Sequence, residues 1–226
     1  MIKNSFDANK YKTQLDPAAW GSFIKERTEN IKILKNYNTF CRYSEKTFYL
    51  SSLYLDIISI RLKQRRIKIN YDRNQIIIGS MLLASKFIEN EFDPNFELTQ
   101  KWYFTNFSLD SILKHEEICL KLLEFKLNYS SAFDFCKFFI NHGIVLASER
   151  PAERLEEINQ RVMDTLSNFL ENEKFIDFDP LQIACSCISI TRNYYQLINS
   201  DHIFYNIYKI KSENLKDCMN NIQGYF

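Results

Sequence analysis

Gln75-Ile-Ile-Ile-Gly-Ser-Met-Leu-Leu-Ala-Ser-Lys-Phe-Ile-Glu89 places apolar residues on every side of a helix. Ile76, Ile77, Ile78, Met81, Leu82, Leu83, Phe87 and Ile88 leave it no polar face, so the segment is expected to be buried rather than to lie on a surface with one apolar stripe. Gly79, Ser80, Ala84 and Ser85 stand among these large residues and let neighbouring backbones approach, which predicts a hub that several other helices pack against. The run is shorter than the roughly 20 residues a bilayer demands and ends in a charge, so no membrane span is expected. That ending is an anomaly: Lys86 follows Leu83 and Leu82 by three and four residues, on a surface that otherwise calls for no charge.

Composition agrees with a helical chain. Only four Gly and four Pro occur in 226 residues, leaving few sites for hairpin turns, and the fold class read from this is all-α. A formal net charge of +1 argues against nucleic-acid binding through the overall field, which leaves a protein as the expected partner. Six cysteines without a secretory signal point to a reducing compartment, hence an intracellular protein, nuclear or cytoplasmic. Cys185-Ser-Cys187 is a weak metal signal, because no second Cys or His pair stands at ligand spacing; small buried thiols are the simpler reading, and no metal or cofactor is expected. His115, His142 and His202 are scattered, with no partnered nucleophile or phosphate loop near them, so the chain is read as a non-enzyme.

Outward from the hub, residues 1–15 are polar and aperiodic and read as an arm. Asp16-Pro17 opens a short helix with Trp20, Phe23 and Ile24, expected outside the core, and a separate helix is expected over Thr28–Lys35. Ser44 caps the next, where Leu50, Leu53, Tyr54, Ile57 and Ile58 recur at helical spacing. Arg61 to Lys68 forms a basic cluster that is either a solvated connection or a surface for an acidic partner. Beyond the hub, Asp93-Pro94 starts a short aromatic helix, and Ser108 or Asp110 opens a segment on which Leu113, Leu120, Leu123 and Leu127 make an apolar line. Glu116 stands on that line, and a carboxylate there requires donors from elsewhere.

The later part of the chain repeats the pattern. Ser131 caps a helix with Phe135, Phe138, Phe139 and Ile140 that Gly143 stops; Pro151 starts another with Leu155, Ile158, Val162, Leu166, Phe169 and Leu170. Asp179-Pro180-Leu-Gln182 joins a cap, a proline and a capping-box glutamine ahead of a second small-residue-rich buried helix. A tyrosine-rich helix near 201–208 and one opened by Ser212 with Leu215, Met219 and Ile222 complete five helices per half. The two hubs are offset by about a hundred residues, too long a period for a solenoid, so two copies of a five-helix unit are expected.

These residues resemble the cyclin family. Leu82-Leu-Ala-Ser-Lys-Phe-Ile-Glu89 is similar to the cyclin-box signature, and Tyr54-Leu-Asp56 to the triplet of its second helix. Leu113-Lys-His-Glu116 with Leu120-Lys-Leu-Leu-Glu-Phe-Lys-Leu127 resembles the fifth helix and its exit, and Pro180-Leu-Gln-Ile-Ala-Cys185 the third helix of a second cyclin fold. The resemblance implies two tandem cyclin folds, at 27–128 and 129–226, after an N-terminal extension over 1–26. It implies a regulatory subunit that activates a cyclin-dependent Ser/Thr protein kinase by positioning its αC helix; the alternative is a cyclin-fold adaptor or scaffold in a larger protein assembly.

By the same resemblance Lys86 and Glu116 hydrogen-bond to kinase backbone, with Leu83, Phe87, Leu120, Phe125 and Leu127 as the apolar contact surface. The competing reading is that Lys86 and Glu116 pair with each other or reach solvent. Arg27 and Asp56 are the family's internal structural pair. Cyclins that recruit substrates carry Met-Arg-Ala-Ile-Leu around that arginine, whereas this chain has Glu26-Arg-Thr-Glu-Asn30, so no hydrophobic substrate-docking patch is expected. The absence of an Arg-x-x-Leu or Lys-Glu-Asn degradation signal points to a constitutive or specialised member rather than a mitotic one.

Overall fold

The computed structural model describes residues 8, 12–13, 15–64, 72–89, 108–142, 149, 152–197, 204, 210 and 212–224; among them are eight α-helices, one 3-10 helix and no strand. Contacts divide the chain into a unit of Lys10–Tyr129 and a unit of Ser130–Phe226 together with Met1–Asn9. The helices expected near 94–104 and 201–208, the stop at Gly143, the start at Pro151 and basic residues 65–68 fall outside the described residues, Phe204 excepted.

The first unit holds α1 (Pro17–Cys41), α2 (Glu45–Gln64), α3 (Arg73–Ile88) and α4 (Leu109–Leu122). α1 begins where expected, with Asp16 accepting from the Ala19 N–H at 2.8 Å and Pro17 in the first turn, but it then runs unbroken for 25 residues. The two helices read from the sequence are one, and Phe23 lies in the core rather than outside it. The reason is the nature of its inner face: Phe23, Arg27, Asn30, Ile31, Leu34, Asn38 and Cys41 are all buried at helical spacing. Three of those seven are polar, so the apolar period fades where the helix does not.

α3 is the hub. Its ten residues Ile76 to Ser85 are buried without interruption, and it packs on α1, α2 and α4. Gly79 is needed there: a Cβ on it would stand 2.9 Å from Cys119 Sγ and 3.4 Å from the His115 carbonyl oxygen, so α3 and α4 meet nearly backbone to backbone. α4 is capped by Ser108 and turns Ile112, His115, Cys119, Leu122 and Leu123 inward. The apolar line expected through Leu113 and Leu127 is therefore out of phase, since Leu113 is 49% exposed and Leu127 lies past the end of the helix.

The second unit holds α5 (Ala132–Asn141), α6 (Ala152–Leu170), the 3-10 helix Glu173–Asp177, α7 (Pro180–Tyr194) and α8 (Ser212–Gln223). Capping boxes start α5 (Ser131 with Asp134) and α7 (Asp179 with Gln182). α7 is buried from Ile183 to Arg192 and packs on α5, α6 and α8, so it plays in this unit the part α3 plays in the other. Phe139 of α5 meets Phe204 edge to face at 5.7 Å. Arg192 and Glu149 form a buried ion pair that the sequence did not signal.

Candidate partner-binding site

The site is built where α3 ends against α4. α3 stops after Ile88 because Glu89 leaves it to serve another helix: its carboxylate accepts from the Ser44 N–H and hydroxyl, both at 2.8 Å, and from the Thr47 hydroxyl, at the start of α2. A carboxylate at a helix N-terminus is favoured by the unpaired N–H groups and the dipole. These hydrogen bonds outweigh the cost of partial burial and hold the Glu89 carboxyl below its ordinary range. The last turn of α3, carrying Lys86 and Phe87, is thus tied down at its end.

Lys86 Nζ lies 2.6 Å from Glu116 Oε1. The two are unequally exposed, the lysine side chain 50% and the glutamate 13%, so the carboxylate is nearly covered while the ammonium keeps access to solvent. A pair this open contributes no more than about 1 kcal/mol. In this chain by itself the two residues pair with each other. The Cys119 thiol, one turn further along α4, is pushed up to about 12 by burial and by the nearby Glu116 charge.

The apolar residues that the resemblance assigns to the contact surface differ in exposure. Phe87 is 47% exposed and Phe125 68%. Leu120 and Leu127 are half-buried. Leu83 is 5% exposed, so its side chain belongs to the core and offers little contact surface. Leu113, one turn before Glu116 on α4, is exposed rather than turned inward as the apolar line through it would require.

Phe125 stands in the turn that follows α4. Glu124 and Phe125 have φ of 55° and 59°, the left-handed region that costs a side-chain-bearing residue about 1–2 kcal/mol. Arg61 of α2 reaches this turn, its Nη1 donating to the Leu122 carbonyl and its Nη2 lying 3.3 Å from Glu124 Oε2. The Tyr54 hydroxyl donates to the Leu127 carbonyl at 2.5 Å. Burial pushes the Tyr54 phenol up, so it remains a donor.

Arg27 and Asp56 join α1 to α2. Arg27 Nε donates to both Asp56 oxygens, at 3.0 and 3.1 Å, and both residues are buried. Burial raises the Asp56 carboxyl while the guanidinium pulls it back.

Around Arg27, the outward residues of Glu26-Arg-Thr-Glu-Asn30 are taken up by ion pairs. Lys63 binds Glu26 at 3.0 Å, and Arg73 binds Glu29 at 3.1 Å and also Asn30. Arg61 and Lys63 of the basic cluster are therefore committed to partners within the chain. No group of His, Cys, Asp and Glu able to hold a metal occurs among the described residues, all six cysteines are buried free thiols, and no helix searched is long and apolar enough to cross a membrane.

Comparison with known proteins places the fold. The family described as "Cyclin, N-terminal domain" matches residues 11–128, just over half of the chain. A viral cyclin from herpesvirus saimiri is similar in structure with a TM-score of 0.65 at 14% identity, over 90% of this chain and 86% of that one. A chain of the CAK complex from Chaetomium thermophilum bound to ATP-gamma-S is similar with a TM-score of 0.69 at 16% identity, over 96% of this chain and 70% of that one. No curated protein matches by sequence.

Proposed function

This chain belongs to the cyclin family, and we propose that it is a regulatory subunit that binds a cyclin-dependent Ser/Thr protein kinase and activates it by holding the kinase αC helix inward. The observation that carries this reading is the Lys86–Glu116 pair at 2.6 Å, with Phe87 exposed next to Lys86 in the chain, Leu113 exposed one turn before Glu116, and Phe125 exposed in the turn that ends the same helix. Large apolar side chains left exposed on the two helices that carry the pair, and on the turn that follows, are what a surface covered by a partner presents.

The chain carries out no chemistry in this role. A kinase requires its β3 lysine paired with its αC glutamate, and a protein that binds only the αC-in state shifts the population toward it. Lys86 has three donors, and it is exposed enough to turn from Glu116 toward backbone carbonyls of the partner, leaving Glu116 to accept an N–H. Each such charge-assisted bond contributes on the order of 1.5–3 kcal/mol, and the phenylalanines and Leu113 supply apolar area. In this reading residues 27–128 form the cyclin box and 129–226 a second cyclin fold, and the protein acts inside the cell, in nucleus or cytoplasm.

The test is purification of the native complex, with its kinase activity assayed, from cells expressing the chain or its Lys86→Ala, Glu116→Ala double variant. A co-purifying active kinase that the double variant loses, with an unchanged helical spectrum, is the expected result. Equal recovery from the variant overturns the assignment of this face. A stable assembly without kinase activity instead makes the chain an adaptor.

A further inference from the structure

The turn that closes α4 departs from ordinary helix endings. Helices commonly leave through a single left-handed residue, usually Gly or Asn. Here two successive residues, Glu124 and Phe125, are left-handed, and neither is of that kind. Phe125 then faces solvent instead of folding onto the core. Left-handed backbone under side chains and a solvated phenyl ring are each unfavourable in the chain alone, and backbone kept in a sparsely populated region by its surroundings is typical of contact sites.

The surroundings here are specific. Within the turn, the Phe125 N–H donates to the Leu120 carbonyl at 3.0 Å, and the Glu124 and Lys126 N–H groups donate to Lys121 and Leu123, both at 3.1 Å. From α2, Arg61 grips the Leu122 carbonyl just before the left-handed pair and the carboxylate of Glu124, the first residue of that pair. Tyr54 holds the far end at Leu127. Arg61 is itself buried, so its charge is costly to place unless these acceptors are present. It lies 61 residues before Leu122, in a stretch that by composition is only a basic cluster.

Resting on the kinase-binding reading above, we propose that Arg61 is a positioning residue of the partner-binding face: by fixing the left-handed turn it presents Phe125 already oriented, so that ordering this contact does not have to be done at binding. The partner class is the one already named, and the added claim is that Arg61 acts on affinity through Phe125 although it is buried beneath the surface.

The experiment uses the full chain as wild type, Arg61→Gln, Phe125→Ala and the double variant, titrated against the kinase that co-purifies with the wild type. Amide exchange is read on the free proteins. In Arg61→Gln the Phe125 amide exchanges at least about tenfold faster. Its affinity falls at least about fivefold, while the double variant binds no more weakly than Phe125→Ala alone, because both losses pass through one side chain. Arg61→Lys, which keeps the cation but loses the fork, falls between wild type and Arg61→Gln; if Arg61→Gln does not fold, Arg61→Lys takes its place in the cycle. Unchanged exchange, or a loss that adds in full to that of Phe125→Ala, overturns the proposal and leaves kinase binding standing. A wild-type chain that retains no kinase overturns the function, and this inference with it.

Discussion

Arg27 of α1 and Asp56 of α2 form a buried ion pair in which one guanidinium nitrogen is shared by both carboxylate oxygens, at 3.0 and 3.1 Å. The pair fixes how the first two helices meet and so sets the platform on which Tyr54 and Arg61, further along α2, reach the turn after α4. Removing one partner leaves an uncompensated charge in the core, whereas removing both does not. Asp56→Leu and Arg27→Met should each lower unfolding free energy by about 3–5 kcal/mol, and the double variant by less than the larger single loss. Urea denaturation of the four proteins measures this, and additive losses would contradict a coupled pair.

Lys86 and Glu116 invite the opposite experiment. Exchanging them, Lys86→Glu with Glu116→Lys, keeps an ion pair at the same place but reverses what each position offers a second chain. Because the Lys86 end of the pair is half exposed, the pair itself contributes little, and stability should change by about 1 kcal/mol. Kinase co-purification should be lost. A swapped protein that still binds would show that the pair serves only the fold.

Gly79→Ala tests the closeness of α3 and α4. The added methyl would meet Cys119 Sγ at 2.9 Å and the His115 carbonyl at 3.4 Å, and a backbone carbonyl cannot rotate aside. A loss of about 1–3 kcal/mol is expected despite the higher helix propensity of alanine. Combining it with Cys119→Ala should recover part of that loss in a thermal melt, and no recovery would place the strain elsewhere.

Glu89 supplies a pH dependence. Its carboxyl is held below the ordinary value of 4.5 by hydrogen bonds from Ser44 and Thr47. A folded-state value below the unfolded one means the contribution is fully present above about pH 4.5 and is lost as pH falls through the folded value. Glu89→Gln should therefore be less stable than wild type at neutral pH, with the gap closing as the solution is acidified below that point. A gap that stays constant from pH 7 to pH 3 would exclude the carboxylate as its origin.

The two hub helices, the all-helical class and the caps at Asp16, Ser131 and Asp179 were legible in the sequence, with Ser108 one of two candidates for the fourth, because each depends on residues within a turn or two of one another and leaves a period or a local signature. Lys86 and Glu116 stood out in the sequence as charges, although the apolar line on which Glu116 was placed is out of phase with the buried face of its helix. The continuity of α1 was not, since Arg27, Asn30 and Asn38 occupy buried positions and hide its apolar stripe. Only the tertiary structure decided that Leu83 faces the core while Leu113 faces outward, that Glu89 caps a helix beginning more than forty residues earlier, and that Arg61 braces the turn carrying Phe125. Those outcomes depend on which polar group meets which across long stretches of chain. Such pairings have no period, and they arise only when packing of the apolar faces has brought the helices together.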